Sequence, residues 1–285
     1  MCIRDRDDNG GIPTVKESSK ENNFIDYKTF KPRVDVTSPD QFVEANRDNI
    51  TTVRSNDVDA GNGFKKSASK NVANFKNVQT GVSLAPTADL VLNYDSVYKN
   101  FNSQMQIGHV YGDLDKPSGT GSGISSRYSN VYAIGNSTAQ ADMDYMAALA
   151  KFNKANGIND GKFQYAGVAT YIDQLHLAEV ANPTTSTPRN APILNGTSAF
   201  DVDFVGGKVG GKLNFTGKPQ LDIAADITGN TFAGTAKGIE TAGGFFGEDA
   251  KFLGGIYQDN PGNGGAGGKA GTGTKFQGTF GAEKQ

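Results

Sequence analysis

Ala199-Phe200-Asp201-Val202-Asp203-Phe204 alternates apolar and acidic residues with a period of two. In an extended strand this sends Phe200, Val202 and Phe204 to one face and Asp201 and Asp203 to the other. Leu221-Asp222-Ile223-Ala224-Ala225-Asp226-Ile227 repeats the pattern and gathers Leu221, Ile223, Ala225 and Ile227 on one side. Outward from these two stretches, similar runs recur from Lys162 to the C-terminus between Gly, Asn, Asp and Pro punctuation. The spacing predicts eight strands, over 163–171, 197–204, 208–215, 220–227, 231–236, 244–246, 251–258 and 275–280. Each is expected to have one wet and one dry face. An open sheet of eight such strands leaves two raw edges and a closed one leaves none, so the reading is a C-terminal eight-stranded antiparallel β-barrel filled by side chains. Gly206, Gly207, Gly210, Gly211, Gly254 and Gly255 are read as serving tight turns and strand bending. The glycine-rich run 260–268 is read as a flexible link, since no Gly-Lys-Ser or Gly-Lys-Thr follows it in a strand-to-helix frame.

Glycine also marks the boundary: 14 fall in residues 1–190 and 23 in residues 191–285. Upstream, strands are expected over 88–94, 97–101, 104–111 and 127–134, with 113–123 as a long mobile loop. One helix is expected to begin at Ser137 or Thr138, with Met143, Met146, Ala147 and Ala150 at helical spacing and Gly157 beyond its end. The chain therefore reads as mainly β: a polar start over 1–25, a β-rich handle with one helix over 26–160, and the barrel over 161–285. The Pro-rich stretch 182–192 reads as a surface excursion after the first barrel strand. The barrel carries its own core and is expected to fold without the handle.

Composition removes several function classes. Lys and Arg total 28 against 30 Asp and Glu, a net charge of −2, so there is no positive field for a nucleic acid backbone. One cysteine, Cys2, cannot form an internal disulfide or a thiolate zinc site, and two histidines leave little for a metal or serine-triad constellation. No run reaches the ~20 apolar residues of a membrane helix. Asp201 and Asp203 read as solubilising charges rather than an acid–base pair, and neither histidine lies in a nucleophile-elbow frame, so the chain is read as a non-enzyme. Met1-Cys2-Ile3-Arg4-Asp5-Arg6 admits two readings: Cys2 as the lipidated residue of a surface lipoprotein, or a spurious start on a gene fragment. The lack of apolar residues ahead of Cys2 favours the second.

Near the C-terminus, Gly243-Gly244-Phe245-Phe246-Gly247-Glu248-Asp249-Ala250-Lys251-Phe252-Leu253-Gly254-Gly255-Ile256-Tyr257 is followed by Phe276-Gln277-Gly278-Thr279-Phe280-Gly281-Ala282. In that order the motifs resemble the last strands of the transferrin-binding protein B type barrel, with Phe246 where Tyr is common and Asp249 where Asn or Pro is frequent. The resemblance covers about 163–285. It implies a secreted or outer-membrane surface protein of a Gram-negative bacterium, exported by a Slam-type translocon that recognises the barrel. One handle plus one barrel is similar to the single-lobe hemophilin group of secreted heme carriers, or hemophores, of iron acquisition. Such carriers imply heme as ligand and a TonB-dependent outer-membrane receptor as partner. The alternative within the resemblance is a surface lipoprotein or adhesin-like protein that binds a host protein such as a transferrin-type iron carrier, with no cofactor.

Given that resemblance, the two histidines become candidate heme-iron ligands. His109 lies in Gln106-Ile107-Gly108-His109-Val110-Tyr111, expected at a strand end beside the mobile loop. There a flap would close on a porphyrin walled by Ile107, Val110 and Tyr111. His176 would complete a bis-histidine pair, Tyr111 is the fallback oxygen ligand, and Met105 a soft one. The competing reading makes His109 a core histidine, His176 an ordinary strand-end residue, Tyr111 a core aromatic and Met105 a space filler.

Overall fold

The structure, a computed structural model, describes residues 24–28, 57–66, 70–75, 90–116, 123–173, 193–259 and 276–285, and the side chains of 57–66, 97–109, 131–172, 193–259 and 276–285. In the first part lie β1 (Phe24–Lys28), β2 (Val58–Gly61), β3 (Phe64–Lys66), β4 (Lys70–Phe75), β5 (Leu90–Phe101), β6 (Met105–Lys116) and β7 (Gly123–Asn136). They form one sheet in the order β1-β7-β6-β5-β3-β2, with β4 also on β5. Helix α1 (Gln140–Ala155) leads into β8 (Phe163–Asp173), β9 (Leu194–Asp203), β10 (Lys208–Asn214), β11 (Leu221–Thr228), β12 (Thr231–Ala236), β13 (Ile239–Phe246), β14 (Phe252–Asp259) and β15 (Phe276–Lys284). Each of these eight pairs antiparallel with the next, and β15 pairs with β8 to close the barrel.

All eight expected barrel strands are present. β13 begins at Ile239 rather than 244, because Glu240, Thr241, Ala242 and Gly243 alternate too weakly to be seen in sequence. Their burial comes from neighbours: a Cβ on Gly243 would stand 2.3 Å from the Phe232 ring. Phe200, Val202, Ile223, Phe232, Phe245, Leu253 and Phe280 fill the interior, with the Phe280 ring centroid 5.0 Å from that of Phe200 and 6.2 Å from that of Phe232.

The expected wet outer face fails on β14, β15 and the second half of β8, from Val168 to Ile172, where residues are buried on both sides. The reason is the handle. Phe101, Met105 and Ile107 of the handle pack with Val168, Phe246 and Phe252 of the outer barrel wall in a second apolar core. The glycines also read differently. Gly207, at φ +64, does turn the chain, but Gly211 and Gly255 are seats for rings inside the barrel, where a Cβ would meet Phe200 at 2.1 Å and Phe280 at 2.6 Å. Gly254 and Gly281 face each other in register on the outer wall. A Cβ there would stand 2.4 Å from Met105 Sδ and 2.8 Å from the Phe101 ring, so their bareness lets the handle approach.

In the handle, the predicted strands 88–94 and 97–101 are one strand, and β6 runs on to Lys116 while β7 starts at Gly123. Of the expected loop over 113–123, residues 113–116 and 123 are strand, and 117–122 lie outside the described residues. Asp113 pairs with both Asn93 and Arg127, and a backbone bonded on two sides tolerates polar side chains. β1 reaches back to Phe24, into the segment expected to lie outside the handle. α1 is capped by neither expected residue: its N-cap is Ala139, and the Thr138 hydroxyl instead donates to the Gly247 carbonyl at 2.8 Å. Met143 and Met146 join the barrel's interior core, and Gly157 ends the helix at φ +64.

Candidate functional site

His109 sits in the middle of β6, opposite Val97 on β5 and Val131 on β7, not at a strand end as the sequence suggested. Alternation along β6 sends Met105, Ile107 and His109 toward the barrel wall. His109 is 0 % exposed, and its Nδ1 shares a hydrogen bond of 3.2 Å with Thr170 Oγ1 of β8. Burial pushes the imidazole pKa down to about 3, so the ring is neutral at physiological pH.

Thr170 also lies where the barrel closes. The β15–β8 pairing holds Phe276 and Gln277 against Asp173 and Ile172, and resumes at Phe280 with Ala169. Between them side chains take over. The Thr279 N–H donates to Thr170 Oγ1 at 3.1 Å, and the Tyr257 hydroxyl, from inside the barrel, donates to the Thr170 carbonyl at 2.6 Å. Gly278 makes room, since a Cβ there would stand 1.9 Å from that carbonyl oxygen. Burial holds the Tyr257 phenol well above its ordinary pKa, so it stays a donor. Thr279 Oγ1 reaches back to the handle, 3.0 Å from the Tyr132 carbonyl, and lies 2.8 Å from the Gly255 carbonyl. One polar junction thus ties barrel closure to handle docking.

The candidate heme residues fare unequally. An axial ligand must present a ring nitrogen to an open plane, whereas His109 is fully buried, flanked by two strands and bonded to the barrel. As placed, it does not fit heme ligation. Ile107 and Met105 are core residues of the handle–barrel contact. Val110 and Tyr111 lie on β6 opposite Ser96 and Asp95, with side chains outside the described set, and His176 lies outside the described residues. Among the described residues no group of three His, Cys, Asp or Glu is placed to hold a metal. Sequence reasoning missed Thr170, Tyr257, Gly278 and Thr279. Two threonines on the outward positions of the closing strands were the available signal.

Replacing Thr170 by Val keeps the shape and deletes the hydroxyl that serves both the Thr279 N–H and His109. The unpaired buried groups should cost about 2–4 kcal/mol, read as a lower midpoint in denaturant melts. Thr170→Ser should recover most of it.

Residues 159–284 match the family model of the C-lobe and N-lobe beta barrels of Tf-binding protein B. An uncharacterized protein of Haemophilus influenzae is 47% identical over 72 residues, which are 23% of this chain and 24% of that protein. Among solved structures, intact Ap-TbpB with both lobes is 17% identical, over 76% of this chain and 38% of that one, at a TM-score of 0.41. Isotype 1 transferrin binding protein B of serogroup B Neisseria meningitidis is 17% identical, over 80% and 36%, at 0.40. A surface lipoprotein is 18% identical, over 73% and 85%, at 0.36. The chain thus spans about a quarter of the curated relative and under half of the two transferrin-binding proteins. The closed eight-stranded topology and the family match fall on the same residues, so the C-terminal part of this chain is a barrel of the transferrin-binding protein B type.

Proposed function

We propose that this chain is a surface-displayed binding protein of a Gram-negative bacterium, in which the barrel is a carrying module and the handle grips a host iron-carrier protein of the transferrin type. The observation that supports this reading is the fate of His109. Its side of the handle sheet is spent on the barrel wall, so binding falls to the rest of the handle, and a protein-sized partner suits a sheet better than a porphyrin slot. The match to the barrels of Tf-binding protein B supports the partner class. Export through a Slam-type translocon and a TonB-dependent receptor as the next partner belong to the same reading. No residue is assigned a catalytic role.

Heme carriage is the competing reading. With His109 committed to Thr170, it would rest on Tyr111 and His176. Immobilised full-length chain should retain purified iron-loaded transferrin of the host, with a footprint on the handle and none on the isolated barrel. A chain that ignores serum iron-carrier proteins yet takes up hemin with a sharp Soret band would replace this reading with heme carriage.

A further inference from the structure

Helix α1 carries two apolar stripes. Met143, Met146 and Ala150 are buried against the barrel. On another face Tyr145, Ala148, Leu149 and Phe152 follow the i, i+3, i+4, i+7 spacing of a second stripe. Tyr145 is 54 % exposed and Phe152 58 %, and Ile158, just past the helix, is 62 % exposed. These are three of the five large apolar side chains exposed among the described residues, two on α1 and the third just past its end.

The charges beside the stripe are ordered. Asp142 and Asp144 occupy the first half of α1 and Lys151 and Lys154 the second. Asp142 and Lys154 complement the helix's own dipole. Asp144 and Lys151 lie along one flank of the exposed stripe, and among the described residues neither makes an ion pair.

We propose that this stripe pairs with a second copy of the chain, helix against helix, antiparallel about a two-fold axis between Ala148 and Leu149. Tyr145 then meets Phe152 of the second copy, and Asp144 lies two residues, ~3 Å of helix rise, from the level of its Lys151 on each side of the axis, within the reach of a lysine side chain, an isologous contact made twice. The acidic-then-basic order is complementary to itself only in the antiparallel sense. Two Asp and two Lys cancel, so the helix offers an anionic lipid surface no net attraction. One helical stripe is smaller than a standard interface, so the dimer is weak and reversible. It uses no residue of the handle sheet and is independent of what the handle binds.

Sedimentation of the full chain over rising concentration should show the mass climbing reversibly from 30.0 kDa toward twice that value. Tyr145→Ser with Phe152→Ser should hold the chain at the monomer mass with an unchanged melt, since both side chains are exposed. Ala148→Glu, which sets like charges across the axis, should do the same. Asp144→Lys should weaken association on the order of tenfold, and adding Lys151→Asp should restore it. A chain that stays monomeric throughout, association that survives the Ser pair, or a reversal that is not restored would overturn the proposal. So would anionic vesicles, rather than a second copy, being what the Ser pair loses.

Discussion

A chain ended after Gly273 should not fold its barrel. The cut removes β15, the strand that pairs with both β14 and β8. It also removes Phe280, which is 0 % exposed and stacked among Phe200, Phe232 and Tyr257, and Phe276, which stacks on Tyr171 at 5.5 Å between ring centroids. Two Phe side chains account for about 3–6 kcal/mol of burial, against a net stability of ~5–15 kcal/mol for a typical domain. The strand's backbone bonds and the Thr279 junction go with them, and β8 and β14 are left as raw edges. Circular dichroism in the aromatic region should lose its fine signal, and thermal melting should lose its cooperativity. A cooperative melt within a few degrees of the full chain would show that β15 does not close the structure.

Acid should loosen the handle from the barrel, through His109. In the unfolded chain this imidazole takes a proton near pH 6.5, and in the folded chain only near pH 3, because the ring is buried. Below pH 6.5 the unfolded state binds more protons, so the stability His109 carries is full above that pH and falls as pH drops toward 3. The slope is about 1.4 kcal/mol per pH unit, so between pH 7 and pH 4.5 the loss is on the order of 2–3 kcal/mol. His109→Gln removes the titrating ring and keeps a hydrogen-bonding group near Thr170. Denaturant titrations at the two pH values should show the variant losing about 2–3 kcal/mol less than the parent chain on acidification. Equal losses would mean that His109 is not buried against the barrel in solution.

The barrel was largely legible in the sequence because its period-two alternation is local: Phe200, Val202 and Phe204, or Leu221, Ile223 and Ala225, declare their face without reference to anything distant. The burial of its outer wall was not legible. Val168, Gly254 and Gly281 acquire their meaning from Phe101, Met105 and Ile107, which lie more than 60 residues away and meet them only when the two sheets stack. The same gap governs the site. His109 looked like a ligand because the barrel motifs resemble a family with heme carriers, histidine is rare in this chain and a loop was expected beside it. The strand instead continues, and the imidazole's partner, Thr170, is 61 residues downstream. Nothing in the neighbourhood of either residue announces the pair.

His109 is an internal joint between handle and barrel rather than a group presented to a ligand. Hemin titration of the intact parent chain and of His109→Ala, followed by absorbance at neutral pH, tests it most directly. The substitution should leave the spectrum of added hemin unchanged while lowering the chain's melting midpoint. A sharp Soret band in the parent chain that His109→Ala abolishes, with the melt intact, would contradict it.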